Sequence, residues 1–319
     1  MSKRSADLRK RLDAGESVLM PGVWDPLSAR IVQNAGFSTA FISGFAVSGT
    51  LLGRPDVGYL TQTEMAEVAQ RVCSAVPDLN LVVDADTGYG DPMTVRRTVE
   101  LWEQAGAAGL FLEDQVWPKR CGHMDGKQVV NREDWLAKLR AACDHREHLH
   151  VTARTDARAV ISLNEAIERA KMARDTGVDA LFVEAPESAA DMEAIATALP
   201  DITLVANMVE KGKTPLLTPA ELAALGFRLV VSPLSLLLAA TYLGRITEFI
   251  VQGVPPDVVL KITLLFIPPI LVKTFAMAML LGALLAFGRL SGDSEIVALR
   301  AAGASIYRVI WPVGMFALV

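Results

Sequence analysis

Cysteine is scarce in this chain of 319 residues: Cys73, Cys121 and Cys143 are an odd number at unrelated spacings. That excludes a disulfide framework and suits a reducing compartment. An apolar leader is also missing. The opening MSKRSADLRKRLDAGES is charged, which predicts no secretion signal and a cytosolic start. Positive charge is not in excess, with 31 Lys and Arg against 36 Asp and Glu, net -5. The acidic surplus falls before residue 255 and argues against nucleic acid as a partner. Charged residues make up 21% and hydrophobic ones 51%, so the chain is not disordered. A mean hydropathy of +0.33 is nevertheless high for a soluble enzyme, so apolar residues must be concentrated somewhere. The length suits one large barrel of about 250 residues with an appendage, or two domains.

Eight short β-rich apolar runs recur, each ending at a polar residue: 18–20, 39–42, 81–83, 110–112, 151–153, 181–183, 203–206 and 229–231. Between them lie amphipathic helical stretches, such as Val95, Val99 and Trp102, or the segment opened by a capping box from Ser162 to Glu165. Several of these stretches finish with a glycine just before the next run, as at Gly36, Gly106, Gly177 and Gly226. Eight consecutive units predict an α/β fold, a (β/α)8 barrel over residues 1–241. An open doubly wound sheet is the alternative, but a glycine-rich phosphate fingerprint is absent.

In such a barrel the residues just after each strand meet at one mouth. Here they are Ser43-Gly44, Asp84-Ala85-Asp86, Glu113-Asp114-Gln115, Arg154-Thr155-Asp156, Glu184 and Asn207. Helix capping explains a single Asp at a strand-to-helix turn, not this set. Carboxylates crowded together repel unless a cation lies between them, and all-oxygen ligands favour magnesium or manganese. The loop after the fourth strand carries Lys119, Arg120, Cys121, Gly122 and His123. It reads as a glycine-containing lid whose thiol, in basic surroundings, can serve as acid or base and whose cations close over an anionic substrate. His145, His148 and His150 precede the fifth strand at the opposite end, where a solvated loop is expected. Trp24 and Asp25, after the first strand, are further candidates for the mouth.

These segments resemble the isocitrate lyase and phosphoenolpyruvate mutase superfamily: PGVWDPLSAR, ISG, GRPDVGYLT, DADTGYGDP, LEDQ, KRCGH, ARTDAR, FVEAP and NMVEKGKTP, in family order across 18–241. The resemblance implies a metal site of Asp84 and Asp86 supported through water by Asp56 and Glu113. It also implies catalytic groups Lys119, Cys121, His123, Arg154 and Glu184, and substrate contacts Ser43, Gly44, Phe45, Gly122 and Asn207. KRCGH is similar to the lyase branch. The implied reaction is a magnesium-dependent retro-aldol cleavage of a small anionic 2-hydroxy acid, with Cys121 protonating the departing carbanion. Methylisocitrate lyases carry an arginine after the Pro-Leu-Ser that follows strand eight. Here Pro233-Leu234-Ser235 runs into Leu236, and Phe45 stands where those lyases tend to have glycine. Both departures point to a smaller, methylated substrate, as in the 2,3-dimethylmalate lyase branch, over 2-methylisocitrate. The family also implies a homo-oligomer.

Beyond 241 the character changes. Residues 262–287 hold one charge, Lys273, and as a helix of about 1.5 Å per residue could cross a bilayer core of about 30 Å. Residues from about 243 to 319 resemble part of the lipopolysaccharide-export permease family, which implies a cytoplasmic coupling helix at 291–305 and contact with a membrane or an ATPase through 262–305. A single span would place Arg289, Arg300 and Arg308 against the positive-inside rule. That conflict points to a junction near Thr241 between two unrelated gene fragments rather than an evolved membrane enzyme: a cytoplasmic barrel followed by a partial permease-like segment, 242–319, for which the inner membrane is the candidate location. A membrane transport component and a nonfunctional chimeric chain are the alternative readings.

Overall fold

The computed structural model describes residues 3–122, 124, 126–210 and 212–241. The chain opens with α1 (Lys3–Asp13) and then alternates: β1 (Val18–Val23), α2 (Pro26–Asn34), β2 (Thr39–Ile42), a short α3 (Gly44–Val47) with a π turn at Ser48–Leu52, and α4 (Gln62–Ala75). There follow β3 (Asn80–Asp84), α5 (Pro92–Ala105), β4 (Gly109–Glu113), α6 (Arg132–His145), β5 (His150–Thr155), α7 (Ala157–Val160) and α8 (Leu163–Arg174). The last elements are β6 (Ala180–Val183), α9 (Ala189–Ala198), β7 (Thr203–Asn207), α10 (Pro219–Ala224) and β8 (Phe227–Ser232). All eight strands are parallel and close into a barrel in chain order. Each apolar run of the sequence lies within one strand.

The closure bears on the run at 229–231, which on hydropathy alone could begin a membrane span. Leu229 is in register with Val18 of β1 on one side and Val205 of β7 on the other, so the run is the eighth stave of the barrel. Among the described residues no helix is long and apolar enough to cross a membrane. The apolar run 262–287 and the coupling-helix segment 291–305 lie outside the described residues.

Two apolar layers hold the barrel. Trp102 of α5 and Trp135 and Leu139 of α6 are fully buried between helices and sheet. Inside, Phe41, Phe111, Phe182 and Val231 come from the even-numbered strands, as expected where alternate strands fill one interior layer. The Phe41 and Phe111 rings lie 4.9 Å apart and the Phe111 and Phe182 rings 5.6 Å apart. Helix α1 covers the opposite end: Leu8 and Leu12 join the inner cluster, Arg9 pairs with Asp179, and Arg4 bonds the carbonyls of Cys73, Val76 and Gly106. The histidines behave as a structural loop there, His145 meeting Glu100 at 2.7 Å and His150 buried at the start of β5.

Helix entry is handled by residues other than the crowded acids. Asp25 caps α2, Thr61 caps α4, Asp91 caps α5 and Ser162 caps α8, each accepting from a backbone N–H in the first turn. Asp86, Glu113 and Glu184 are thereby left without a capping task, and Asp84 accepts the first N–H of the short α3.

Candidate active site

A cavity of about 250 Å³ opens at the carboxyl ends of the strands. Its floor is the layer of Phe41, Phe111, Phe182 and Val231. Its polar rim includes Ser43, Asp56, Asp84, Cys121, Arg154, Glu184 and Asn207. Phe45, Gly122, Met124, Val209, Pro233 and Leu234 complete the wall. The sequence-predicted residues from the separate turns therefore do converge. His123 lies outside the described residues. Trp24 and Asp25 instead border a separate cavity beside α4.

On one side of the rim stand Asp84, at the end of β3, and Asp86, just beyond it. Asp84 accepts from the Gly44 N–H at 3.3 Å and from the Asp86 N–H at 3.1 Å. A Cβ on residue 44 would come within 2.9 Å of Asp84 Oδ2, so glycine is needed for this approach. Asp86 (φ +44°), Tyr89 (φ +60°) and, after β6, Ala185 (φ +55°) adopt the left-handed backbone region that non-glycine residues avoid. Such strain concentrates at functional turns.

Lys119 occupies a different place from the one its lid position suggests. Its ammonium lies 2.6 Å from Asp56 Oδ1 and 2.7 Å from Asp86 Oδ1, with the side chain 3% exposed. Burial alone would discharge it, but Asp86 and Asp56 outweigh burial and hold its pKa well above the usual lysine range. It serves the carboxylate cluster, whereas Arg120 is exposed. Burial pushes Asp86 up to about 7, against the pull of Lys119. Glu113 is likewise driven well above the carboxylate range by burial, and its Oε1 has no hydrogen-bond partner among the described residues.

Arg154 of β5 is the hub of the other side. Its guanidinium reaches Asp156 Oδ2 at 3.0 Å, Glu184 Oε2 at 3.1 Å and Glu113 Oε2 at 3.4 Å, and lies 5.3 Å above the Phe182 ring. Burial opposes ionisation of Asp156, but Arg154 and Lys127 together hold its carboxyl below the usual range. Asn207 Nδ2 donates to Glu184 at 3.3 Å.

This donor set fits a hard dication. Asp56, Asp84, Asp86 and Glu113 are oxygen-only donors, buried, in negative excess over Lys119 on their side, and one Glu113 oxygen is unsatisfied. Magnesium and manganese prefer such carboxylate oxygens, whereas zinc favours nitrogen and sulfur. Elsewhere, Glu103, Glu147 and His148 come close together at the far end, where Glu103 accepts the backbone N–H groups of Glu147, His148 and Leu149.

Cys121 and Gly122 hang over this rim from the excursion between β4 and α6, with the Cys121 N–H donating to the Asp56 carbonyl at 3.2 Å. Gly122 rests on the Arg154 and Glu184 pair. A Cβ there would fall 2.5 Å from Glu184 Oε2 and 2.6 Å from Arg154 Nη2. Gly122→Ala is therefore expected to lift the loop and lower turnover about 100-fold, because a displacement near 1 Å at a reacting group costs about that much. Steady-state turnover beside a thermal melt checks this, and an unchanged kcat would show that the loop need not sit so low.

Two groups emerged only from the coordinates. The phenylalanine floor was legible as apolar strand residues but not as a cavity surface. Lys127 was one of several basic residues in the loop, with nothing in the sequence to mark its buried position.

Comparisons with known proteins place the chain among relatives of the same fold. Residues 8–250 match the family model described as phosphoenolpyruvate phosphomutase, and residues 221–319 match that described as lipopolysaccharide export system permease LptF/LptG. The two matches overlap on β8, which the barrel uses as a strand. The chain is 45% identical to the petal death protein of Dianthus caryophyllus over 73% of each chain. It is 41% identical to 2,3-dimethylmalate lyase of Eubacterium barkeri, over 74% of this chain and 82% of that protein. It is 46% identical to probable 2-methylisocitrate lyase 2 of Corynebacterium glutamicum, over 77% and 80%. Among solved structures, 2,3-dimethylmalate lyase superposes with a TM-score of 0.76 at 33% identity, covering 80% of this chain and 87% of that one. Phosphonopyruvate hydrolase in complex with oxalate and magnesium gives a TM-score of 0.70 at 25% identity, covering 93% and 98%.

Proposed function

The chain belongs to the phosphoenolpyruvate phosphomutase family, and we propose that it is its carbon-carbon lyase form, cleaving a small 2-hydroxy di- or tricarboxylic acid to pyruvate and a second carboxylic acid. The observation that carries this reading is the seating of Cys121-Gly122 directly over the Arg154 and Glu184 pair, beside a ring of buried carboxylates. A mutase that moves a phosphoryl group leaves no carbanion to protonate and has no need of a thiol there. A lyase must return a proton to carbon.

The residues divide the work as follows. Arg154 binds the carboxylate of the half that becomes pyruvate, its guanidinium held in place by Asp156, Glu113 and Glu184. Ser43, the Gly44 backbone and Asn207 fix the rest of that half, and the phenylalanine floor keeps water from the reacting bond. Magnesium, held by Asp84 and Asp86 with Asp56 and Glu113 around them, supplies Lewis-acid stabilisation of oxyanion charge when bound; manganese is the alternative of the same ligand preference. As the hydroxyl passes its proton to a carboxylate of the rim, the bond between the two carbons breaks and its electron pair stays on the carbon next to the departing carboxylate. The Cys121 thiol gives that carbon its proton.

The wall favours 2,3-dimethylmalate as substrate. Phe45, Met124, Val209, Pro233 and Leu234 accept methyl groups and offer no cation for a third carboxylate. Leu236, at the position of the arginine expected in methylisocitrate lyases, packs against the hydrophobic core. Leu234→Arg, which puts a cation on the cavity wall itself, is expected to raise the ratio of kcat/KM for 2-methylisocitrate over 2,3-dimethylmalate about tenfold, since charge-assisted recognition of one carboxylate is worth about that much. An unchanged ratio would move the specificity elsewhere.

The reading is tested by pyruvate release from 2,3-dimethylmalate and magnesium by the full chain. Stoichiometric pyruvate and propionate are expected, and no release from any 2-hydroxy acid would overturn it. The same reading covers a cytoplasmic, homo-oligomeric barrel joined near Thr241 to the permease-like segment 242–319. Membrane contact through that segment is tested by fractionation, and a chain wholly in the detergent-free supernatant would remove it.

A further inference from the structure

Between Asp114 and Val130 the chain leaves β4 and returns as a narrow hairpin. The Val116 N–H donates to the Gln128 carbonyl at 2.8 Å, the Val130 N–H donates to the Asp114 carbonyl at 2.9 Å, and Gln115 bridges to Val129. Cys121 and Gly122 lie near its apex. Lys127, on the returning limb, has a side chain only 2% exposed. Its ammonium donates to the Gly122 carbonyl and to Asp156 Oδ1, the latter at 2.6 Å. It does not line the cavity.

The same Asp156 carboxylate receives Arg154 Nε on its other oxygen at 3.0 Å. Asp156 is itself anchored. Its N–H donates to Asp114 Oδ1 at 2.8 Å, and Asp114 is held by Thr155 at 2.7 Å and by Arg169 at 3.0 Å. One fixed carboxylate therefore serves two cations. One is the guanidinium on the barrel wall, and the other reaches up to the loop backbone beside Cys121.

We infer that Lys127 is a positioning residue that ties the Cys121 loop to the Asp156 carboxylate, so that the height of the thiol above Arg154 and the orientation of Arg154 are set through one shared anchor. For catalysis this rests on the lyase reading above. Burying an ammonium is costly unless it is fully paired, so a cation held here must do something that an apolar residue of similar length could not. What it does is draw the Gly122 carbonyl down onto a wall that leaves no room for a side chain.

The test is the rate at which iodoacetamide alkylates Cys121 in the full chain, followed on the tryptic peptide that begins at that residue, for wild type, Lys127→Met and Lys127→Arg. Loss of a buried charge-assisted tether is expected to raise the alkylation rate about tenfold or more in Lys127→Met, with Lys127→Arg within about threefold of wild type. In turnover assays Lys127→Met should lose about 100-fold in kcat with KM within about threefold. If Lys127→Met does not accumulate folded, Lys127→Gln is expected to show the same rise in alkylation. Alkylation within twofold of wild type in the neutral variant would overturn the inference. So would equal rates in Lys127→Met and Lys127→Arg, which would make the role one of volume. Alkylation needs no substrate, so a wild-type chain inert toward every 2-hydroxy acid would remove the lyase reading and leave this inference to be judged on the thiol alone.

Discussion

Cys121→Ser is expected to lower kcat about 1,000-fold while leaving substrate affinity within a few-fold of wild type. The thiol is the group proposed to give a proton to carbon. A serine hydroxyl fills nearly the same space but is a far weaker acid, and positioned proton transfer is worth about 100- to 10,000-fold. The backbone contact from residue 121 to the Asp56 carbonyl survives the exchange, so the loop keeps its anchor. Cys73 and Cys143 serve as internal controls: burial pushes both thiols up to about 11, and neither lines the cavity. Serine at either of those positions should leave kcat unchanged. A Cys121→Ser enzyme within threefold of wild type would show that the proton comes from another group.

Removal of the dication is expected to have an effect of the same order. Chelation should abolish turnover, and magnesium should restore it. Asp84→Asn should weaken magnesium binding about 100-fold or more in calorimetry, because a charged ligand oxygen is replaced in a site whose other carboxylates are buried. The cation should also be visible as stability. At about 100 times its Kd, magnesium adds about 2.7 kcal/mol to a fold that binds it only when native, which for a barrel of this size is a rise in Tm of about 5 to 10 °C. Asp84→Asn should melt without that rise. The physical cause is the crowding of Asp56, Asp84, Asp86 and Glu113, where burial, with Asp84 and Asp56 beside it, pushes Asp86 up to about 7 in spite of the opposing pull of Lys119. Equal melting of wild type with and without magnesium would contradict the metal assignment.

The barrel was legible because its signals are local and periodic. Runs such as Leu81 to Val83 and Leu110 to Leu112 are short, apolar and bounded by glycine or a polar residue, and β3 and β4 extend each by no more than a residue or two at either end. The convergence of Asp84, Glu113, Arg154, Glu184 and Asn207 followed from topology, since parallel strands of a closed barrel deliver their carboxyl ends to one face. The hairpin after β4 was less legible. It has no repeating pattern, and what its side chains touch depends on folding back across the mouth. Lys119 was expected to meet an anionic substrate, yet it is buried between Asp56 and Asp86, because a flexible four-carbon stem follows the nearest uncompensated carboxylates. Gly122 belonged to a motif, but its need to be glycine depends on Glu184 and Arg154, distant in sequence. Lys127 depends in the same way on Asp156.

Cleavage of 2,3-dimethylmalate in deuterium oxide, followed by NMR with magnesium present, tests the central claim most directly. If the bond breaks to leave a carbanion that an exchangeable thiol quenches, each turnover yields one pyruvate and one propionate carrying a single deuterium on its methylene carbon. Propionate formed without deuterium, or no cleavage by the magnesium-loaded chain, would contradict the account.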